Sequence, residues 1–234
     1  MKAKDMLLAS IVLVLLIAAC TSNGFVESFR YYSKAHGYGM SFIKFAILAS
    51  FGECLALRIV TGRYWKKGFG LCAKMVVWGF LGIIIKLAFT VFATGAPNIL
   101  ASFGLDFSAA TLATGSFFER LVTALVISTS LNCIFAPVLM ILHKITDGHI
   151  HAHGGRFVSV VTPINMVDRF NDIDWNVMWG LVLKKTIPFF WIPAHTITFL
   201  LPPDFRILFA ALLGIALGVI LAFANLSAVK KSEA

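Results

Sequence analysis

TIPFFWIPAHTITFLLPPDFR, residues 186–206, decides how the rest of the chain is read. It is too apolar for a surface and too often broken by proline for an ordinary core helix. Pro188 and Pro193 each remove a backbone donor, and hydrocarbon tolerates the freed carbonyls only where neighbouring helices, hydroxyls or water satisfy them. The segment is therefore expected to be a proline-broken transmembrane helix buried among others. Thr196 and Thr198 offer hydroxyls, and His195 places an ionisable ring at mid-depth, where a polar group must find a partner or line a wet cavity. Pro202, Pro203 and Asp204 make the turn of a hairpin, and residues 207–229 are its returning span.

Composition supports that reading. Of 234 residues, 59% are hydrophobic and only 13% charged, with a mean hydropathy of +0.88, whereas a soluble domain carries about a quarter charged residues. The expected class is an all-α, polytopic integral membrane bundle. The 20 Lys and Arg outnumber 11 Asp and Glu, but no basic run has a fold around it, so nucleic acid is not an expected partner. The cations flank apolar segments, where they set topology and meet the headgroups of the lipid bilayer. Cys20, Cys54, Cys72 and Cys133 lie in or beside apolar segments without CxxC spacing and read as small packing residues. There is no nucleophile elbow, phosphate loop or pair of carboxylates across a soluble cleft, so neither an enzyme nor a cofactor is expected.

Working outward, residues 1–30 form an N-terminal extension, and residues 31–234 a single membrane domain. Lys2 and Lys4 precede the apolar run of residues 6–19, which reads as a signal anchor or a signal-peptide core; residues 17–20 also look like a lipobox, which would lipidate Cys20. Further spans are expected at residues 41–60, 69–94 and 117–142, the last kinked at Pro137. The total is six, or five if the first is removed. The short loop at residues 61–68, with Arg63, Lys66 and Lys67, is the most positive and should face the cytoplasm. Residues 143–174 and the tail with Lys230 and Lys231 fall on the same side, which suits a multi-pass protein of a bacterial inner membrane. Arg30, Lys34 and Lys44 fall on the opposite side. Residues 95–116 lack Lys and Arg and read as an interfacial or a re-entrant helix. Thr162-Pro163 reads as a helix start, and Asp174 as the cap of a helix carrying Trp175 and Trp179.

The hairpin resembles the family of the small peroxisomal membrane protein and its mitochondrial inner-membrane relatives, the Mpv-seventeen and PMP-twenty-two family. The family's Trp, Gln, Asn-Phe, Pro and Arg pattern falls on Trp191, His195, Thr198-Phe199, Pro203 and Arg206, with the spacing kept up to the proline. Leu131-Asn132 with Phe135-Ala136-Pro137 matches a second motif, and Gly52-Glu53 stands where the family has Gly-Asp. His195 replaces Gln, Thr198 replaces Asn, Leu131 removes an acid and Arg206 comes one residue early, so the chain reads as a divergent, bacterial member. The resemblance covers residues 31–228 and implies a compact helical bundle forming a poorly selective pore for small solutes.

Candidate sites follow from charge, ring and size. Glu53 and Lys86 are the charges placed deepest along their spans, on adjacent helices. They either neutralise each other as structural glue or line a pore, or Lys86 snorkels to the interface. Asn132, His195 and Thr198 join them as bundle-interior candidates. His149, His151 and His153, with His143 and Asp147 nearby, sit in an expected glycine-flanked loop, where alternate imidazoles on an extended strand could clip zinc or nickel. Ala210, Gly214, Gly218 and Ala222 form a small-residue stripe, suited to packing within the bundle or to a seam between copies of the chain. The expected function is a low-selectivity pathway for small solutes. The alternatives are a non-transporting membrane protein that binds a lipid or a protein partner, and a metal-handling role for the His loop.

Overall fold

The computed structural model describes residues 5, 10, 14, 18 and 21–232. The expectations of a signal anchor, a signal peptide and a lipidated Cys20 lie outside the described residues. Among those residues every regular element is a helix. α1, Asn23–Ala35, is capped by the Ser22 hydroxyl, which accepts from the Phe25 amide. α2, Gly37–Thr61, ends at Gly62, whose φ of 75° gives the left-handed C-cap that glycine adopts without strain. α3 covers Leu71–Ser102. It absorbs Pro97 and roughly the first third of the segment expected to be interfacial or re-entrant, and ends at Ser102, shortly before Gly104 takes a φ of 79°. At about 1.5 Å per residue its 32 residues reach about 48 Å, well beyond the roughly 30 Å of a hydrocarbon core.

α4, Phe117–Ser130, opens with a reciprocal capping box between Ser116 and Glu119. It runs through a wide π turn, Leu131–Phe135, into α5, Ala136–Ala152, and in that turn the Ala136 amide reaches back five residues to Leu131. The π turn stands directly before Pro137, whose ring cannot join the ordinary ladder. α6, Met166–Asn171, is capped by Asn165 rather than by Thr162, which instead donates back to Val158. Asp174 caps the turn Trp175–Val177 through the amides of Asn176 and Val177. A π-helical stretch, Met178–Trp191, carries the chain past Pro188 into α7, Ile192–Leu200, and α8, Pro203–Ser232, follows a tight turn.

Among the described residues three helices are long and apolar enough to cross a membrane: Leu71–Ser102, the continuous Phe117–Ala152, and Pro203–Phe223. Their hydropathies of 2.2, 2.2 and 2.5 identify a membrane protein. α2 packs lengthwise on both α3 and α8, and α7 lies along α4. Phe45, Phe89, Ile127, Leu131, Phe199 and Ala211 form the centre of the core.

The closest helix approaches are made by glycines outside the predicted stripe. A Cβ on Gly82 would stand 2.7 Å from Phe45 Cβ and from the Ser41 carbonyl oxygen, and one on Gly52 would stand 3.1 Å from Ile215 Cα. In the stripe Ala210 and Ala222 are buried, but a Cβ on Gly214 would meet nothing within 4 Å. Gly218 stays in ordinary contact distance of α2, a Cβ there standing 3.9 Å from the Gly52 carbonyl oxygen, and both glycines border a cavity.

Candidate functional site

Two cavities lie in series inside the bundle. An outer vestibule of about 450 Å³ opens beside the loop that joins α2 to α3 and is bordered by Thr61, Lys66 and Phe69. An inner chamber of about 330 Å³ runs between α2, α3 and α8 on one side and α5 and the π-helical stretch on the other. Glu53, Ala56, Gly218 and Leu221 belong to both linings.

Glu53 at this junction is held by a charged cluster. Lys74 Nζ lies 2.5 Å from Glu53 Oε2 and also pairs with the Asp147 carboxylate, while Trp78 Nε1–H donates to Glu53 Oε1 at 2.5 Å. The His143 ring tilts over Trp78 at 4.2 Å between centroids, and its Nε2 is 4.0 Å from Glu53. Helical periodicity makes the cluster possible: Lys74 and Trp78 are four apart on α3, and His143 and Asp147 four apart on α5, so each pair projects from one face. The Lys74 ammonium thus bridges two carboxylates, and Lys144 stands nearby in the chamber lining.

The expected Glu53–Lys86 pair does not form. Lys86 lies twelve residues beyond Lys74 on α3, about 18 Å along the axis, and lines a separate cavity at the other end of α2. Depth along a span, the basis of the expectation, does not tell which residue on the neighbouring helix stands at the same height.

The inner chamber ends at the predicted hairpin. His195 is buried, with Nδ1 3.1 Å from Asn132 Nδ2 and 3.2 Å from Asn132 Oδ1, between the rings of Phe89 and Trp191. Asn132 also donates to the Ser128 carbonyl at 2.8 Å, and Ser128 Oγ donates to the Ile192 carbonyl at 2.7 Å. α4 and α7 are thus joined by a buried polar seam beside the proline break. Beyond it Phe199, Ile127 and Ala211 are all fully buried. Thr198 is also fully buried, but it donates to Ala194 within α7 and does not line the chamber. Arg206 Nε donates to the Leu201 carbonyl and its guanidinium lies over Phe199, locking the turn before α8. Pro188, Pro193 and Pro203 are exposed.

Two buried nitrogens on lining side chains, His143 Nδ1 near the junction and Trp191 Nε1 near the seam, have no hydrogen-bond partner among the described residues. Buried polar groups are normally satisfied, so each calls for an explanation. The wall between them is mostly apolar, including Ala49, Ile85, Leu139, Val182 and Leu217.

The metal reading is corrected. His149 and His151 are in α5 and His153 is its C-cap, so the rings do not alternate along a strand. His149 and His153, a helical turn apart, stack at 4.3 Å; His149 Nε2 faces the Ser159 carbonyl at 3.1 Å, and His153 Nδ1 the His149 carbonyl at 2.9 Å. No group of three metal-ligating side chains occurs among the described residues. His143 and Asp147 turn instead toward the Glu53 cluster. A structural role for His149 has a measurable consequence: His149→Ala should cost about 1 to 2 kcal/mol, the cost of a buried acceptor left unpaired, whereas exposed His151→Ala should be silent. Thermal melts of the two variants in detergent check this, with and without a chelator, which should change neither.

Comparison of the chain with protein-family models, curated proteins and solved structures finds no match.

Proposed function

We propose that this is a multi-pass protein that takes a small amphipathic molecule, of lipid-like chemistry, into the inner chamber through the vestibule. In this reading α2 and the segment from Met178 to Leu200 cross the bilayer together with the three long apolar helices, and the 61–70 loop faces the cytoplasm. The observation that carries it is the chamber itself: an apolar wall with an unpaired buried nitrogen near each end. An apolar body would take the wall, and polar ends would satisfy His143 and Trp191. The small-solute pore remains a second reading, favoured by the in-line arrangement of vestibule and chamber, with the Phe89–Phe199 contact at 4.9 Å as its closed constriction. The resemblance to the Mpv-seventeen and PMP-twenty-two family belongs to that second reading.

Gly214→Leu tests both. A Cβ there would meet nothing within 4 Å and Gly214 lines the chamber, so the fold should persist while the space is reduced. Trp78 and Trp191 line the chamber and report occupancy. A brominated fatty acid should quench the wild-type fluorescence saturably, and about tenfold more weakly in Gly214→Leu, the 1.4 kcal/mol expected from about two lost methylene contacts. Liposome flux of graded solutes in wild type, absent in Gly214→Leu, would favour the pore. Neither saturable quenching nor flux would end both readings.

A further inference from the structure

At the end of the bundle opposite the vestibule, a third cavity of about 520 Å³ opens between α1, the start of α2, the middle of α3 and the first turn of α8. It shares no lining residue with the inner chamber or the vestibule. Lys34, Lys44 and Lys86 line it, against the single carboxylate of Asp204. Lys44 is 8% exposed. Its Nζ donates to Ser33 Oγ at 2.9 Å and stands 4.3 Å from the centroid of the Phe29 ring. Neither Lys44 nor Lys86 is in an ion pair with a described carboxylate. Arg30 lies over Phe205, the neighbour of Asp204, and adds a further positive charge at this rim.

This gathering runs against both rules that govern charge in such a chain. A lysine taken out of water is costly unless an opposite charge meets it, and Lys44 makes direct contact with a hydroxyl and a ring, with Asp204 elsewhere in the cavity and outside ion-pair distance. The positive-inside tendency would also place these cations on the face of the 61–70 loop, not at the opposite end. Both departures have one explanation if the counter-charge is supplied from outside the chain. Lysine ammonium groups bind phosphate as point charges. Ser33, whose oxygen accepts from Lys44, still has its own hydroxyl proton to donate.

We propose that this cavity is a binding site for a phosphate-bearing anion, held by Lys44 and Lys86 with Lys34 at the rim. The cavity is several times the size of a phosphate group, and at a membrane surface that chemistry is presented by an anionic phospholipid headgroup as well as by free phosphate. Asp204 sets the orientation: its carboxylate repels the anion from the α8 side and confines it between α2 and α3.

The test uses the full chain in neutral detergent, titrated with phosphatidylglycerol in mixed micelles, with phosphatidylcholine, and with inorganic phosphate at matched ionic strength. Bound lipid is counted by native mass spectrometry alongside thermal melts. Phosphatidylglycerol should bind saturably and in clear preference to phosphatidylcholine. Lys86→Gln and Lys44→Gln should each weaken binding about tenfold or more, as expected for loss of a charge-assisted hydrogen bond. Lys67→Gln, exposed on the 61–70 loop and outside all three cavities, should bind as wild type. Competition by inorganic phosphate would identify free phosphate as the ligand; its failure to compete would identify the lipid headgroup. Because Lys86 is only partly buried, Lys86→Gln decides the matter if Lys44→Gln fails to fold. Equal binding by wild type and Lys86→Gln, or no preference for either anionic probe over phosphatidylcholine, overturns the proposal. The inner-chamber reading is untouched by either result, since its reporters and its variant lie elsewhere.

Discussion

Lys74→Met is expected to be the most damaging single change in this protein, costing about 3 to 5 kcal/mol of stability, the usual cost of breaking a buried ion pair from one side. The Lys74 side chain is 11% exposed and, among the described residues, is the one ammonium paired with both Glu53 and Asp147. Without it two carboxylates face each other across the α2–α3–α5 junction, and one must take up a proton or draw water into the vestibule. The same argument predicts rescue. Adding Glu53→Gln and Asp147→Asn to Lys74→Met removes the stranded charges, and the triple variant should recover most of the loss. Glu53→Gln alone should be milder, because Lys74 keeps Asp147 and the new amide can still accept from Trp78. Denaturant or thermal unfolding of the set in detergent gives the cycle. Additive effects would show that the three groups do not act as a unit.

Gly82→Val should come second, at roughly 3 kcal/mol, near the top of the range for overpacking. The added Cβ would stand 2.7 Å from a backbone oxygen, that of Ser41, which cannot swing away as a side chain would. α2 and α3 must separate along their shared length, and their other close approach, at Gly79, must open with them. Gly95→Ala on the same helix is the control. A Cβ there meets nothing within 4 Å, so alanine should be neutral or stabilise by up to about 1 kcal/mol through its helix propensity. Opposite signs at two glycines thirteen residues apart on one helix would show that contact with α2 decides the effect. Equal effects would show that propensity alone does.

Several features were legible in the residues because their causes are local. The all-helical membrane class follows from sustained apolar runs, which need only composition and length. Asp174 before Trp175 announces a helix start because a cap is made with amides two or three residues on. Pro137 announces a disturbed turn because its missing donor acts within its own helix. The pairing of Asn132 with His195 was half legible: both are polar residues in apolar runs, and each therefore needed a partner.

What the linear chain leaves open is which faces and heights meet. Glu53 and Lys86 looked like partners because both lie deep in neighbouring spans, yet α3 offers Lys74 to Glu53 and turns Lys86 toward Lys44. The His149, His151 and His153 spacing reads as a clip only if the segment is extended; α5 runs on through it, and helical rotation puts His151 on another face. Gly214 and Gly218 carry the spacing of a packing stripe, while Gly52, Gly79 and Gly82 make the tight approaches. Composition and periodicity determined by themselves that the chain would form apolar helices that enter a membrane, since burial of backbone polar groups and apolar side chains depends on each segment alone. Only the tertiary structure decided that Glu53, Lys74 and Asp147 share one junction and that Lys44 and Lys86 share a cavity. The rotation and stagger of each helix are set by steric fit against its neighbours, and that is a property of pairs of segments.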